Sequence, residues 1–226
     1  MRIPHSVPLA ACVIAAWAWL AVSAGTPPAV ADPDGGSRGA PDEIKVLVLM
    51  SNLHGAYFSY LRDEMEVYGW NLTFAGVTDS VSPCEWGLPF VVDTLVSEIA
   101  DVSPFDCLLV SQSAAFEGHA NEQLLASPEA LDLVREALND SLLVVTICGG
   151  TRVLAAADVI EGKRVTGYGR YSQEYTDAGA IYLGDGLPPF LDGNILTCSK
   201  GHYYSEQIAE AMRGALDSLR VLRGRE

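Results

Sequence analysis

The sequence predicts a doubly wound α/β domain built on a mainly parallel sheet. Three observations lead there. "IKVLVLM" (44–50) is an unbroken run of β-formers, the pattern of a strand covered on both faces. Apolar runs then alternate with segments of helical period along the chain. At 226 residues and 49% hydrophobic, the chain suffices for one substantial domain and is short for two.

The elements follow in order. After the first strand comes a polar loop, Ser51 to Gly55, and then "AYFSYLRDEMEVYGW", where Tyr57, Tyr60, Leu61, Met65 and Tyr68 fall at helical spacing and Gly69 closes the helix. "NLTFAGV" is the second strand, so the start is β-α-β with a right-handed crossover. "PFVVDTLVSEIAD" reads as a helix, "FDCLLVS" as a strand, "SPEALDLVREALND" as a helix capped by Ser127, and "SLLVVTI" as a strand. Beyond Gly162, "KRVTGYG" and "GAIYL" read as short strands and "GNILTCS" as a late one. A long terminal helix with Ile208, Met212, Leu216 and Leu219 on one face ends the pattern.

Residues 1–31 stand apart. Arg2 is the only charge before Asp32, Leu9 to Val22 is an apolar run, and Ala29-Val30-Ala31 offers a small-residue cleavage site, with Val22-Ser23-Ala24 as an earlier one. The run is short for a bilayer span, which needs roughly 20 residues. A signal peptide over 1–31 and an exported protein without stable membrane insertion are therefore expected; an uncleaved anchor is the alternative. Residues 32–42 are a Pro-, Gly- and Asp-rich linker, and the folded domain is expected over 43–226.

The formal net charge is −15 at pH 7. Such a surface repels phosphate backbones, so no nucleic-acid partner is expected. Cys84, Cys107, Cys148 and Cys198 lie beyond the signal, and export would permit disulfides among them. No Cys-x-x-Cys or Cys/His ligand spacing is present, so a structural zinc site has little support; no metal and no cofactor are expected.

In open parallel sheets ligands bind beyond the carboxyl ends of the strands. That directs attention to loops 51–55, 111–121 and 148–151. Ile147-Cys148-Gly149-Gly150-Thr151 has the pattern of a nucleophile elbow: a strand, a sharp turn, small residues behind the nucleophile and free amides at a helix start. Those amides and the helix dipole are expected to lower the thiol pKa. A buried, inert cysteine at a tight turn is the competing reading.

From Ile44 to Leu216 the chain resembles the ThiJ/PfpI family, related to class I glutamine amidotransferase domains. The resemblance is strongest in "VVTICGGTRVLAAADVIEGKRVT" and extends to "KVLVLM", "GWNLTFAGV" and "FDCLLVS". It implies a flavodoxin-like three-layer sandwich, a possible homodimer and Cys148 as the reactive residue.

Measured against that family the supporting residues depart from pattern. Where relatives place a glutamate after the first strand, this chain reads Ser51-Asn52-Leu53-His54. Where they place paired glycines after the third, it reads Ser111-Gln112-Ser113, and the family histidine position falls on Tyr168. His54 and His202 are the candidate substitutes, with Gly149, Gly150 and Ser113 as backbone oxyanion donors and Tyr168, Glu117 and His119 as pocket residues. Two functions follow: a cysteine-dependent hydrolase or related carbonyl or acyl enzyme (peptidase, amidase, glyoxalase-like or deglycase-like) acting on a small molecule or peptide, or a non-catalytic ligand-binding or redox-sensing protein.

Overall fold

The computed structural model describes residues 43–54, 58–81, 89–113 and 120–222. The expected signal and linker, Tyr57, Cys84, Glu117 and His119 lie outside them. In chain order the elements are β1 (Lys45–Met50), α1 (Phe58–Val67), β2 (Asn71–Gly76), β3 (Ser80–Val81), β4 (Phe90–Val91), β5 (Thr94–Leu95), β6 (Cys107–Val110), α2 (Glu122–Leu125), α3 (Pro128–Asn139), β7 (Leu143–Ile147), α4 (Thr151–Ala156), β8 (Arg164–Val165), α5 (Ser172–Asp177), β9 (Ile181–Tyr182), β10 (Phe190–Asp192), β11 (Ile195–Cys198) and α6 (Ser205–Leu222). Short 3₁₀ turns cover Cys148–Gly150 and Gly201–Tyr203.

Seven strands form the central sheet in the order β10-β11-β7-β6-β1-β2-β5. Every pairing is parallel except that of β10 with β11. Because strands buried on both faces can be apolar throughout, β1, β6 and β7 carry the unbroken runs seen in the sequence. Alternate side chains supply two cores. Leu47, Leu49, Leu108, Val110 and Val144 pack with Leu133, Val134 and Leu154 from α3 and α4. Val46, Val48, Leu109, Val145 and Leu196 pack on the opposite face with Leu61, Met65, Ile208, Met212 and Leu216 from α1 and α6. Each fully buried aliphatic side chain contributes about 1.5–3 kcal/mol of transfer free energy. The result is the expected three-layer α/β sandwich.

Two expectations are corrected. Residues 89–101, expected as a helix, contain β4, β5 and a 3₁₀ turn. The β-branched Val91, Val92, Thr94 and Val96 favour extended backbone, and Asp93 fastens the segment to the sheet edge. Its amide donates to the Phe74 carbonyl at 2.8 Å, and its carboxylate accepts from the Phe74 amide at 2.8 Å. In α1 the buried face is Phe58, Leu61 and Met65, whereas Tyr60 is 52% exposed. Among the described residues no helix is long and apolar enough to cross a membrane.

The Ser127 cap is present: its hydroxyl accepts from the Ala130 amide at 3.2 Å. Residues 164–165 and 181–182 are strands, but they pair with each other in a separate small sheet.

Candidate active site

Strand order reverses between β1 and β6, the switch point beyond whose carboxyl ends open α/β sheets bind their ligands. The parallel register sets its floor. Leu49 pairs with Val110, Val110 with Thr146, and Cys198 with Ile147. Counting onward, Ser51, Gln112, Cys148 and Ser199 stand at one level across four strand tips.

Cys148 has φ 57°, the left-handed region that costs a side-chain-bearing residue of order 1 kcal/mol or more. This is the sharp strand-to-turn bend expected of an elbow. Its carbonyl accepts from the Tyr168 amide at 3.1 Å, fixing the bend against the segment after β8. The two following glycines are dictated by close approach. A methyl group on Gly149 would stand 2.5 Å from Ala120 Cβ, and one on Gly150 2.9 Å from the Val110 carbonyl oxygen.

Behind the elbow runs a buried threonine chain. Thr146 Oγ1 and Thr151 Oγ1 are 3.0 Å apart, Thr151 donates to the Thr166 carbonyl at 3.1 Å, and Thr166 donates its amide to Thr197 Oγ1 at 2.9 Å. Satisfied hydrogen bonds of this kind hold three segments in one geometry. Arg152 holds the flank: it donates to Glu174 at 2.7 Å and to the Ala120 carbonyl at 2.7 Å, with its guanidinium 4.2 Å from the centre of the Tyr171 ring.

The Cys148 thiol is free and half-buried. Its pKa departs from expectation in sign. Burial pushes it up to about 11; the Gly149 amide, donating to the sulfur, pulls the other way, as does Lys200, while Asp185 and Cys198 add to the rise. Burial of the sulfur outweighs the amide at the start of the turn, which runs in 3₁₀ form before the six-residue α4. Cys198, also free, is buried, and its thiol is likewise pushed up to about 11.

The other candidate residues are placed as follows. His54 forms an antiparallel backbone bridge with Ser113, which brings those two together, and its ring meets Phe90 edge-on at 6.3 Å. His202 sits in the turn after β11. That turn is pressed onto the elbow strand, since a methyl group on Gly201 would lie 2.7 Å from Ile147 Cγ2 and 3.0 Å from Gln112 Oε1. Burial, and then Lys200, lower the His202 pKa, so its imidazole is neutral at pH 7. Tyr168 is bonded to Cys148 through the backbone, and its ring lies 6.0 Å from that of Tyr171.

Sequence reasoning missed Asp185, Lys200, Cys198 and Asn121. Asp185 and Lys200 look like ordinary loop charges. Only the folding of the 184–186 turn onto Ser199, whose hydroxyl accepts from the Gly186 amide at 2.7 Å, brings them to the thiol.

Residues 44–212 match the model of the DJ-1/PfpI family. The chain is 28% identical over 120 residues to protein DJ-1 homolog D of Arabidopsis thaliana, covering 51% of this chain and 29% of that protein. It is 24% identical over 152 residues to deglycase PfpI of Pyrococcus furiosus, covering 67% and 87%, and 29% identical over 92 residues to isonitrile hydratase of Pseudomonas putida, covering 41% and 40%. For DJ-1 homolog D and isonitrile hydratase, then, the match spans less than half of the relative's own length. The crystal structure of a ThiJ/PfpI domain protein from Brachyspira murdochii superposes with a TM-score of 0.68 at 20% identity, covering 78% of this chain and 98% of that one. With the left-handed cysteine, the parallel sheet and the family match in agreement, the chain belongs to the DJ-1/PfpI family.

Proposed function

We propose that this protein is an exported cysteine-dependent hydrolase, or an enzyme of related acyl or carbonyl chemistry, with Cys148 as nucleophile. The observation that carries the reading is the left-handed Cys148 at the tip of β7, with its thiol free. Such strained backbone clusters at functional sites, and although Leu53, Asn121, Ser141 and Asp158 share the conformation, only here does it carry a free thiol at the tip of a buried strand. Export rests on the composition of residues 1–31.

The chemistry assigned to the site runs in balanced steps. A neutral His202 accepts the thiol proton, and the sulfur attacks the electrophilic carbonyl carbon. The carbonyl oxygen takes up the electron pair beside backbone amides near Gly149 and Ser113. In an acyl transfer the pair returns, the bond to the leaving group breaks, and that group departs with the proton from His202. Water then cleaves the thioester and restores the thiol. Burial favours this order, since a thiol with a pKa of about 11 needs a base at neutral pH. His54, packed on Phe90, is the second candidate base.

The named activities of the relatives, a deglycase and an isonitrile hydratase, support reactive-carbon chemistry without selecting a substrate. A non-catalytic ligand-binding role is favoured by one observation: burial leaves the thiol protonated in the free protein, which also disfavours redox sensing, since oxidation proceeds through the thiolate. A panel of amide, ester and 2-oxoaldehyde substrates separates the two. Turnover by the full chain that disappears in Cys148→Ser supports the enzyme; equal rates in both, or none in either, refute it.

A further inference from the structure

Asn121 is fully buried, and among the described residues neither its side-chain oxygen nor its side-chain nitrogen has a hydrogen-bond partner. Ser51 Oγ, on a residue 2% exposed, is in the same condition. The large majority of buried polar atoms are paired, because desolvating them without compensation costs free energy.

These unpaired groups share one place in the fold. Ser51 stands at the tip of β1, level with Cys148. The next amide, of Asn52, donates to Gln123 Oε1 at 2.7 Å, two residues beyond Asn121. The Asn121 amide donates to Ser113 Oγ at 2.5 Å, and Ser113 is bridged to His54. On the other side Ala120 presses on Gly149, the residue after Cys148. The loops carrying residues 51–54, 111–113 and 120–123 thus converge beside the elbow.

Backbone geometry explains part of the asparagine's identity. At φ 60° it occupies the left-handed region, which asparagine tolerates. Glycine meets that requirement with no Cβ and no carboxamide to bury. The carboxamide therefore needs another reason.

We infer that Asn121, seconded by Ser51, is a recognition subsite for a carboxamide group of a ligand bound at the Cys148 crevice. A carboxamide presents one acceptor and one donor edge, the complement of Asn121 Nδ2 and Oδ1, and the Ser51 hydroxyl can give or accept a third bond. A carboxylate matches only the donor half and leaves Oδ1 unpaired. The inference rests on the crevice being a ligand site, not on turnover.

The test uses the full chain and the alkylation of Cys148 at constant pH, followed by peptide mass spectrometry. Iodoacetamide carries the carboxamide; methyl methanethiolsulfonate, small and neutral, reports thiol access alone. In wild type the iodoacetamide rate saturates and is competed by acetamide but not by acetate, while the thiolsulfonate rate is linear. Asn121→Ala lowers the iodoacetamide rate by about tenfold or more and shifts the thiolsulfonate rate by less than about twofold. Ser51→Ala has the same sense and a smaller size. Linear wild-type kinetics without acetamide competition, equal competition by acetate, or parallel changes in both reagents overturn the inference. The wild-type competition and Ser51→Ala decide the matter even where Asn121→Ala does not fold. Selective binding without turnover of any substrate refutes the enzyme reading alone; turnover without selectivity refutes this one alone.

Discussion

Ala120 occupies the space that a side chain on Gly149 would need, with a separation of 2.5 Å between its Cβ and the added methyl. Real carbon atoms do not approach so closely, and both partners are buried. Gly149→Ala is predicted to lower stability by about 1–3 kcal/mol, the usual size of an overpacking strain. Urea denaturation checks it. Ala120→Gly in the same chain should return part of the loss, and two independent, additive losses would show that the contact is not responsible.

The charges beside the sulfur give opposite effects. Lys200 favours the thiolate and Asp185 opposes it. Asp185→Asn should therefore speed iodoacetamide alkylation of Cys148 at pH 8 by at least about twofold, and Lys200→Met should slow it to a similar extent, because the rate follows the thiolate fraction. In wild type the rate should keep climbing past pH 9. A plateau near pH 7 would mean that the dipole at the turn outweighs burial.

Cys198 links burial to alkaline stability. Its folded pKa of about 11 lies above the ordinary thiol value of 9.0. Between those values the unfolded chain gives up its proton first, so the unfolded state binds fewer protons and stability falls as pH rises from 9 to 11. The loss is roughly 2–3 kcal/mol. Below pH 9 both states are protonated and nothing changes. Cys198→Ala should remove its share of that decline in a chemical denaturation series measured against pH, leaving the similar share of Cys148, whose pKa is raised to the same value; an unchanged slope would remove Cys198 as a source.

Arg152 joins α4 to Glu174 in α5 and to the Ala120 carbonyl, and it lies on Tyr171. Replacing it leaves a buried carbonyl without its donor. Arg152→Ala is predicted to cost about 1–3 kcal/mol, and Arg152→Lys should recover little because a point charge cannot serve both directions. Thermal unfolding of the two variants provides the check.

Much of this architecture was legible because both faces of the sheet are covered. Unbroken runs such as residues 44–50 and 143–147 have few alternatives to a buried parallel strand. Cys148 was legible for a related reason: two glycines behind a strand signal close backbone approach, which Ala120 and Val110 confirm. Residues 89–101 were not, since Phe90, Leu95 and Ile99 mimic a helical stripe, and only pairing of β5 with β2 decides for strand. The sign of the Cys148 shift was also hidden. Helix-start amides are visible in a sequence, whereas burial and the approach of Asp185 depend on the tertiary fold. Asn121 sat unnoticed in a polar loop because burial without a partner leaves no local trace.

The central claim is that Cys148 forms a covalent bond to the substrate carbon. The most direct measurement is mass spectrometry of protein quenched during exposure to p-nitrophenyl acetate. The account predicts an acetyl adduct confined to the peptide carrying Cys148, absent in Cys148→Ser and formed more slowly in His202→Ala. Release of p-nitrophenol with no adduct at Cys148, or with undiminished rate in Cys148→Ser, would contradict it.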